Sequence, residues 1–114
     1  MATPTDFDFI MIKPTHYDDD GYPIVWWRTA LPSNSLASLN GLGRDASKRQ
    51  VLGPDVKINL VPIDECNTHI VPKQIARDAR KRGARVLIGL VGVQSNQFPH
   101  ALDLAKEFRA EGLP

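Results

Sequence analysis

The chain has 114 residues and a mass of 12.6 kDa, which gives room for one domain and not for a second with its own core. Hydrophobic residues make up 42% and charged residues 24%, close to the average soluble domain, so wholesale disorder and fibrous repeats are excluded. Fourteen Lys and Arg oppose thirteen Asp and Glu, a net charge of +1, and the concentrated basic excess of a nucleic-acid binder is missing.

The nearest approach to such an excess is Arg77, Arg80, Lys81, Arg82 and Arg85, which reads as the solvated face of one helix and its exit. Cys66 is the single cysteine, so an internal disulfide framework and a metal cluster held by several thiolates of this chain are both ruled out. No apolar run reaches the roughly 18 residues of a membrane span. The opening Met-Ala-Thr-Pro-Thr-Asp-Phe-Asp carries two acids and no base before its apolar stretch, the wrong charge for a secretory signal, and a cytoplasmic protein is expected.

Phe7 to Ile12 is apolar apart from Asp8 and stops at Lys13-Pro14, which predicts a first strand entering a loop. The loop that follows, residues 13–35, holds three consecutive acids and the pair Trp26-Trp27. It far exceeds the usual connection of about 2 to 6 residues, and loops of that length are commonly functional. Leu36, Leu39, Leu42 and Ala46 then recur at helical spacing, with Ser33, Asn34 or Ser35 as N-cap after Pro32. Gly41 and Gly43 inside this helix point either to close packing against a sheet or a ligand or to a frayed surface helix.

After the turn Gly53-Pro54-Asp55, residues Val56, Ile58 and Leu60 alternate with Lys57, Asn59 and Val61 in a second strand, with Asp64 at its carboxyl end. A second helix runs from Pro72 to Arg82 with Ile75, Ala76 and Ala79 inward and Gly83 as its stop. Val86 to Val93 is apolar on both faces, as a strand covered by helices on both sides would be. Gln94, Ser95, Asn96 and Gln97 form a polar loop. Phe98, Ala101, Leu102, Ala105 and Phe108 then mark a third helix. Strand and helix alternate three times, which predicts an α/β, flavodoxin-like (Rossmann-like) three-layer sandwich on a parallel sheet.

In such a sheet ligands bind beyond the carboxyl ends of the strands. Three segments qualify: Lys13 to Asn34, Asp64 to His69, and Gln94 to Gln97. The glycine signatures of dinucleotide and triphosphate sites are absent. The aspartate that a phosphoacceptor would carry after the third strand is replaced by Gln94-Ser95-Asn96. Asp18-Asp19-Asp20-Gly21 lacks the alternating ligands of a calcium loop. Cys66 and His69 have the spacing of two metal ligands, but no second pair completes a closed zinc site, and no metal residue is assigned. His16 sits in the long first loop, where it is a candidate ligand contact. His100 reads as a helix-cap or surface histidine. No serine is followed by an elbow or a base partner.

Phe9-Ile-Met-Ile-Lys-Pro14, Leu31-Pro-Ser-Asn-Ser-Leu-Ala-Ser-Leu39, Val61-Pro-Ile-Asp64 and the run Leu87 to Ala105 together resemble the N-terminal cobalamin-binding domain that precedes the catalytic barrel of many radical S-adenosylmethionine (radical SAM) proteins. The resemblance implies a cofactor-binding module that positions cobalamin, with Pro14, Thr15, His16, Trp26, Trp27, Pro32, Ser33, Asn34, Asp64, Gln94, Ser95, Asn96 and Gln97 as binding residues. The departures are specific. The D-x-H-x-x-G motif of families that bind cobalt through histidine is not present, since His16 has Pro14 two places before it, and binding without a histidine ligand is implied. The cluster motif C-x-x-x-C-x-x-C is also absent, so S-adenosylmethionine and a 4Fe-4S cluster would be bound outside this chain, on a C-terminal radical SAM barrel of the same polypeptide. The alternative is a non-catalytic or flavin/nucleotide-binding domain of the same fold. The resemblance further implies the first three units of a five-stranded domain, which would leave the Val86 to Val93 strand at an edge and prone to self-association.

Overall fold

The computed structural model describes residues 5–15, 17, 20–21, 34–65 and 68–114, with Asn34 and Ser35 described by their backbone alone. Three strands alternate with three helices: β1 (Thr5–Lys13), α1 (Asn34–Lys48), β2 (Val56–Asp64), α2 (Pro72–Arg82), β3 (Arg85–Leu90) and α3 (Phe98–Ala110). The strands form one parallel sheet in the order β2-β1-β3, the flavodoxin-like α/β arrangement. Thr5 to Lys13 pair in unbroken register with Val56 to Asp64, and Phe7 to Ile12 with Arg85 to Leu90. No helix among the described residues is long and apolar enough to cross a membrane.

The alternation of β1 divides the core. Ile10 and Ile12 point to one face and join Ile70, Ala79, Val86, Leu104 and Phe108 under α2 and α3. Met11 points to the other and meets Leu36 of α1 together with Val91, Phe9 and Leu60. Two local features set how close the layers come. A Cβ on Gly43 would lie 2.7 Å from Leu60 Cδ2, and one on Gly89 would lie 2.9 Å from the Phe9 ring. Gly43 therefore lets α1 sit down on β2, and Gly89 makes space for Phe9 to lie across β3. A Cβ on Gly41 would meet nothing within 4 Å.

Asp8, the one polar residue among the apolar positions of β1, is buried on the face that carries α2. It accepts from Asn59 Nδ2 at 2.9 Å and pairs with the Arg82 guanidinium, whose protonated form this hydrogen bond favours. Arg82 is thus committed to a buried carboxylate, a correction to its reading as solvated face. Arg80 donates to the Glu111 carbonyl at 2.8 Å and lies 3.3 Å from its carboxylate.

Three details of the sequence reading change. β3 ends at Leu90 and not at Val93, because Gly92 adopts a left-handed φ of 63° that turns the chain out of the sheet. On α1, Leu42 is 67% exposed, since the helix meets the sheet through Leu36 and Gly43. On α3 the buried face is His100, Ala101, Leu104 and Phe108, leaving Phe98 and Leu102 outward. β3 is an edge strand of the described sheet. Its Ile88 N–H donates to the Pro114 carbonyl at 2.8 Å, so the last residues run along the outer side of β3.

Candidate functional site

Because the strands are parallel, the first residues after each of them gather at one edge of the sheet. α1 leaves β1 to one face while α3 lies on the other. The edge between the first and third loops is therefore the place where the chain diverges, the location of ligand crevices in open α/β sheets.

Hydrogen bonds tie the three loops together. Lys13 Nζ donates to the Gly92 carbonyl at 3.0 Å, linking the end of β1 to the turn after β3. Glu65 N–H donates to the Lys13 carbonyl at 3.0 Å, and Thr15 N–H donates to Glu65 Oε1 at 3.0 Å. The other carboxylate oxygen of Glu65 accepts from His100 Nε2 at 2.7 Å. Glu65 is 2% exposed and His100 6%. With the Glu65 carboxylate as acceptor, Nε2 is the donor of this pair, and His100 Nδ1 is buried with no hydrogen-bond partner among the described residues. The Tyr17 ring stands edge-on to His100 with centroids 4.7 Å apart, and its hydroxyl donates to Asp103. Burial, then the bond to Asp103, push the Tyr17 phenol up to about 12.

The third loop closes on itself. Gln97 Oε1 accepts from Gln94 N–H at 2.9 Å, and the Gln97 and Phe98 amides return to the Gln94 carbonyl at 3.0 Å each. Beside it lies an open recess of about 430 Å³ lined by Val93, Gln94, Ser95 and Phe98.

Of the residues singled out in the sequence, Gln94, Ser95 and Asn96 are exposed at this edge and Gln97 is buried as the loop's internal brace. Pro14 and Thr15 are buried just past the end of β1, and Asp64 is half-buried in register with Lys13. Asn34 opens α1. His16, Trp26, Trp27, Pro32 and Ser33 lie outside the described residues. His100 is a buried partner of Glu65, which corrects its reading as a cap or surface residue. Glu65, Tyr17 and Asp103 were not singled out at all. The one cue was Glu65 directly after a strand end, where an acid at a parallel sheet's carboxyl edge has backbone amides within reach. Among the described residues no group of three or more His, Cys, Asp or Glu side chains converges as a metal site would.

Comparison of the chain with protein-family models, with curated proteins and with solved structures finds no match in any of the three.

Proposed function

We propose that the crevice at the carboxyl edge binds a corrinoid and that the chain is the cobalamin-binding module of a cytoplasmic radical SAM enzyme. The observation that carries this reading is the divergence of α1 and α3 to opposite faces of the β2-β1-β3 sheet, which opens the edge beside the recess at Gln94 and Ser95. A corrin offers a broad apolar face rimmed by amide side chains. Val93 and Phe98 supply an apolar wall, and Gln94, Ser95 and the adjacent Asn96 supply donors and acceptors for amides. Trp26 and Trp27, which lie outside the described residues, are further binding residues on this reading. His100 is buried and committed to Glu65, so it is not a residue of this site.

When bound, the corrinoid supplies the chemistry at cobalt. The chain's own part is to bind and orient it, and to hold Gln94 to Gln97 in one conformation through the Gln97 brace. S-adenosylmethionine and the 4Fe-4S cluster belong, on this reading, to a C-terminal radical SAM barrel of the same polypeptide.

Titration of the protein with hydroxocobalamin, followed by its visible absorption and by gel filtration, tests the proposal. Saturable spectral change with co-elution is expected, weakened about tenfold by Asn96→Ala together with Ser95→Ala. No spectral change and no retention at micromolar protein would remove the corrinoid. Saturable binding of flavin mononucleotide in the same assay, with none of cobalamin, would transfer the site to the flavin/nucleotide reading.

A further inference from the structure

Lys13 closes β1, the central strand, and is half-buried on the face that Met11 shares with α1. Asp64 stands in register with it on β2, a placement that often joins a lysine to an acid across two strands. The ammonium goes the other way. It reaches the β3 side of the sheet and donates to the Gly92 carbonyl at 3.0 Å. The ion pairs of the described residues join Arg49 to Asp45, Arg80 to Glu111, Arg82 to Asp8 and His100 to Glu65. Lys13 belongs to none of them.

The side to which it turns offers no counter-charge from the chain. Val86 to Leu102 contains no acid, and neither α1 nor α3 carries one in its first turn. Glu65 is turned inward to the Thr15 amide and His100. The Gly92 carbonyl satisfies one of the ammonium's donors and leaves its charge unneutralised, which is costly for a group partly withdrawn from water. Gly92 directly precedes Val93, Gln94 and Ser95, which line the recess, so the cation stands where the first and third loops meet.

We infer that Lys13 selects a phosphate-bearing ligand at this edge, its ammonium pairing with a phosphate oxygen. The inference rests on the ligand site proposed above and names the group by which that site tells its ligand from near relatives. A corrinoid is positive at cobalt and rimmed by neutral amides, so the phosphodiester of its nucleotide arm is the part that an ammonium attracts. Flavin mononucleotide carries its phosphate at the end of a chain. The same cation would serve either, and the ligand's own chemistry separates the two sources.

The test compares hydroxocobalamin with cobinamide, the corrin without its nucleotide and phosphodiester, by visible absorption, and flavin mononucleotide with riboflavin by fluorescence. Wild type is expected to favour hydroxocobalamin at least about tenfold over cobinamide, as a charge-assisted hydrogen bond supplies. Lys13→Met should bind both corrinoids alike, and Lys13→Arg should keep the preference. Thermal melts confirm that each variant folds, and the wild-type preference is decisive by itself if Lys13→Met does not. A preference for flavin mononucleotide over riboflavin that Lys13→Met abolishes, with neither corrinoid bound, would uphold the role of Lys13 and remove the corrinoid. Equal wild-type binding of both corrinoids would overturn the inference and leave the corrinoid site standing. So would an equal loss of both in Lys13→Met, the mark of a lysine that only braces Gly92. Binding of none of the four ligands would overturn the inference together with the reading it rests on.

Discussion

Glu65 and His100 stand 35 residues apart in the chain and meet at 2.7 Å in the interior, joining the loop after β2 to the first turn of α3. Each Glu65 oxygen has one donor, Thr15 N–H on one side and the imidazole on the other. Removing one partner of a buried pair leaves the other uncompensated, at a cost of about 3 to 5 kcal/mol. Glu65→Ala is expected to destabilise by about 3 kcal/mol in urea denaturation, and Glu65→Ala with His100→Ala by clearly less than the sum of the single changes. Additive losses in the double-mutant cycle would show that the two side chains do not act as a pair.

Asp8 and Arg82 pose a milder case. The Asp8 side chain is 3% exposed but that of Arg82 is 49%, so solvent screens the pair. Arg82→Leu is expected to cost about 2 kcal/mol, because Asp8 would lose the guanidinium and keep the Asn59 amide. Adding Asp8→Ala to Arg82→Leu should recover part of that loss. A double variant less stable than Arg82→Leu alone would mean that Asp8 stabilises the sheet independently of the guanidinium.

The elements were legible where local chemistry sets them. α2 begins at Pro72 and ends at Arg82 as expected, because proline suits a first turn and Gly83 takes a left-handed φ of 64°. The three strands follow from the alternating pattern, and their order β2-β1-β3 agrees with the flavodoxin-like arrangement. What local patterning misses is which flank of a helix meets the sheet. Leu42 and Leu102 sit on apolar stripes yet face out, because Gly43 meets Leu60 and because His100, polar by type, is turned inward by Glu65. The crevice was legible as three loops sharing an edge, since parallel order alone brings strand ends together. The polar cluster beneath it was not, because no spacing in the sequence relates Glu65 to His100 or Tyr17 to Asp103.

Tyr17 gives the chain an alkaline stability limit. Its phenol rises from 10.0 to about 12 in the folded protein, so the folded state holds the proton more tightly than the unfolded chain. The contribution is complete below the unfolded value and is lost as pH climbs from about 10 towards 12. Stability relative to Tyr17→Phe should be flat at lower pH and fall across that window. Ultraviolet titration should show one tyrosine ionising late, and its disappearance in Tyr17→Phe identifies it. A wild-type difference that stays constant to pH 12 would contradict the assignment.

The two glycines of α1 make opposite predictions from the same substitution. Alanine gains up to about 1 kcal/mol over glycine inside a helix, and at Gly41 nothing lies within 4 Å of the added methyl. Gly41→Ala should therefore stabilise by most of that amount, which for a domain of this size raises Tm by roughly 4 to 8 °C per kcal/mol. At Gly43 the methyl would come within 2.7 Å of Leu60 Cδ2. Leu60 can move only by leaving the Met11 and Leu36 cluster it packs against, so Gly43→Ala should gain nothing or lose stability, by up to about 2 kcal/mol. Shortening the obstacle is the decisive control. In a Leu60→Val background, Gly43→Ala should recover stability relative to its effect in the wild type, while Gly41→Ala should act identically in both. Equal gains at the two glycines in the wild type would show that α1 does not rest on β2 at Gly43.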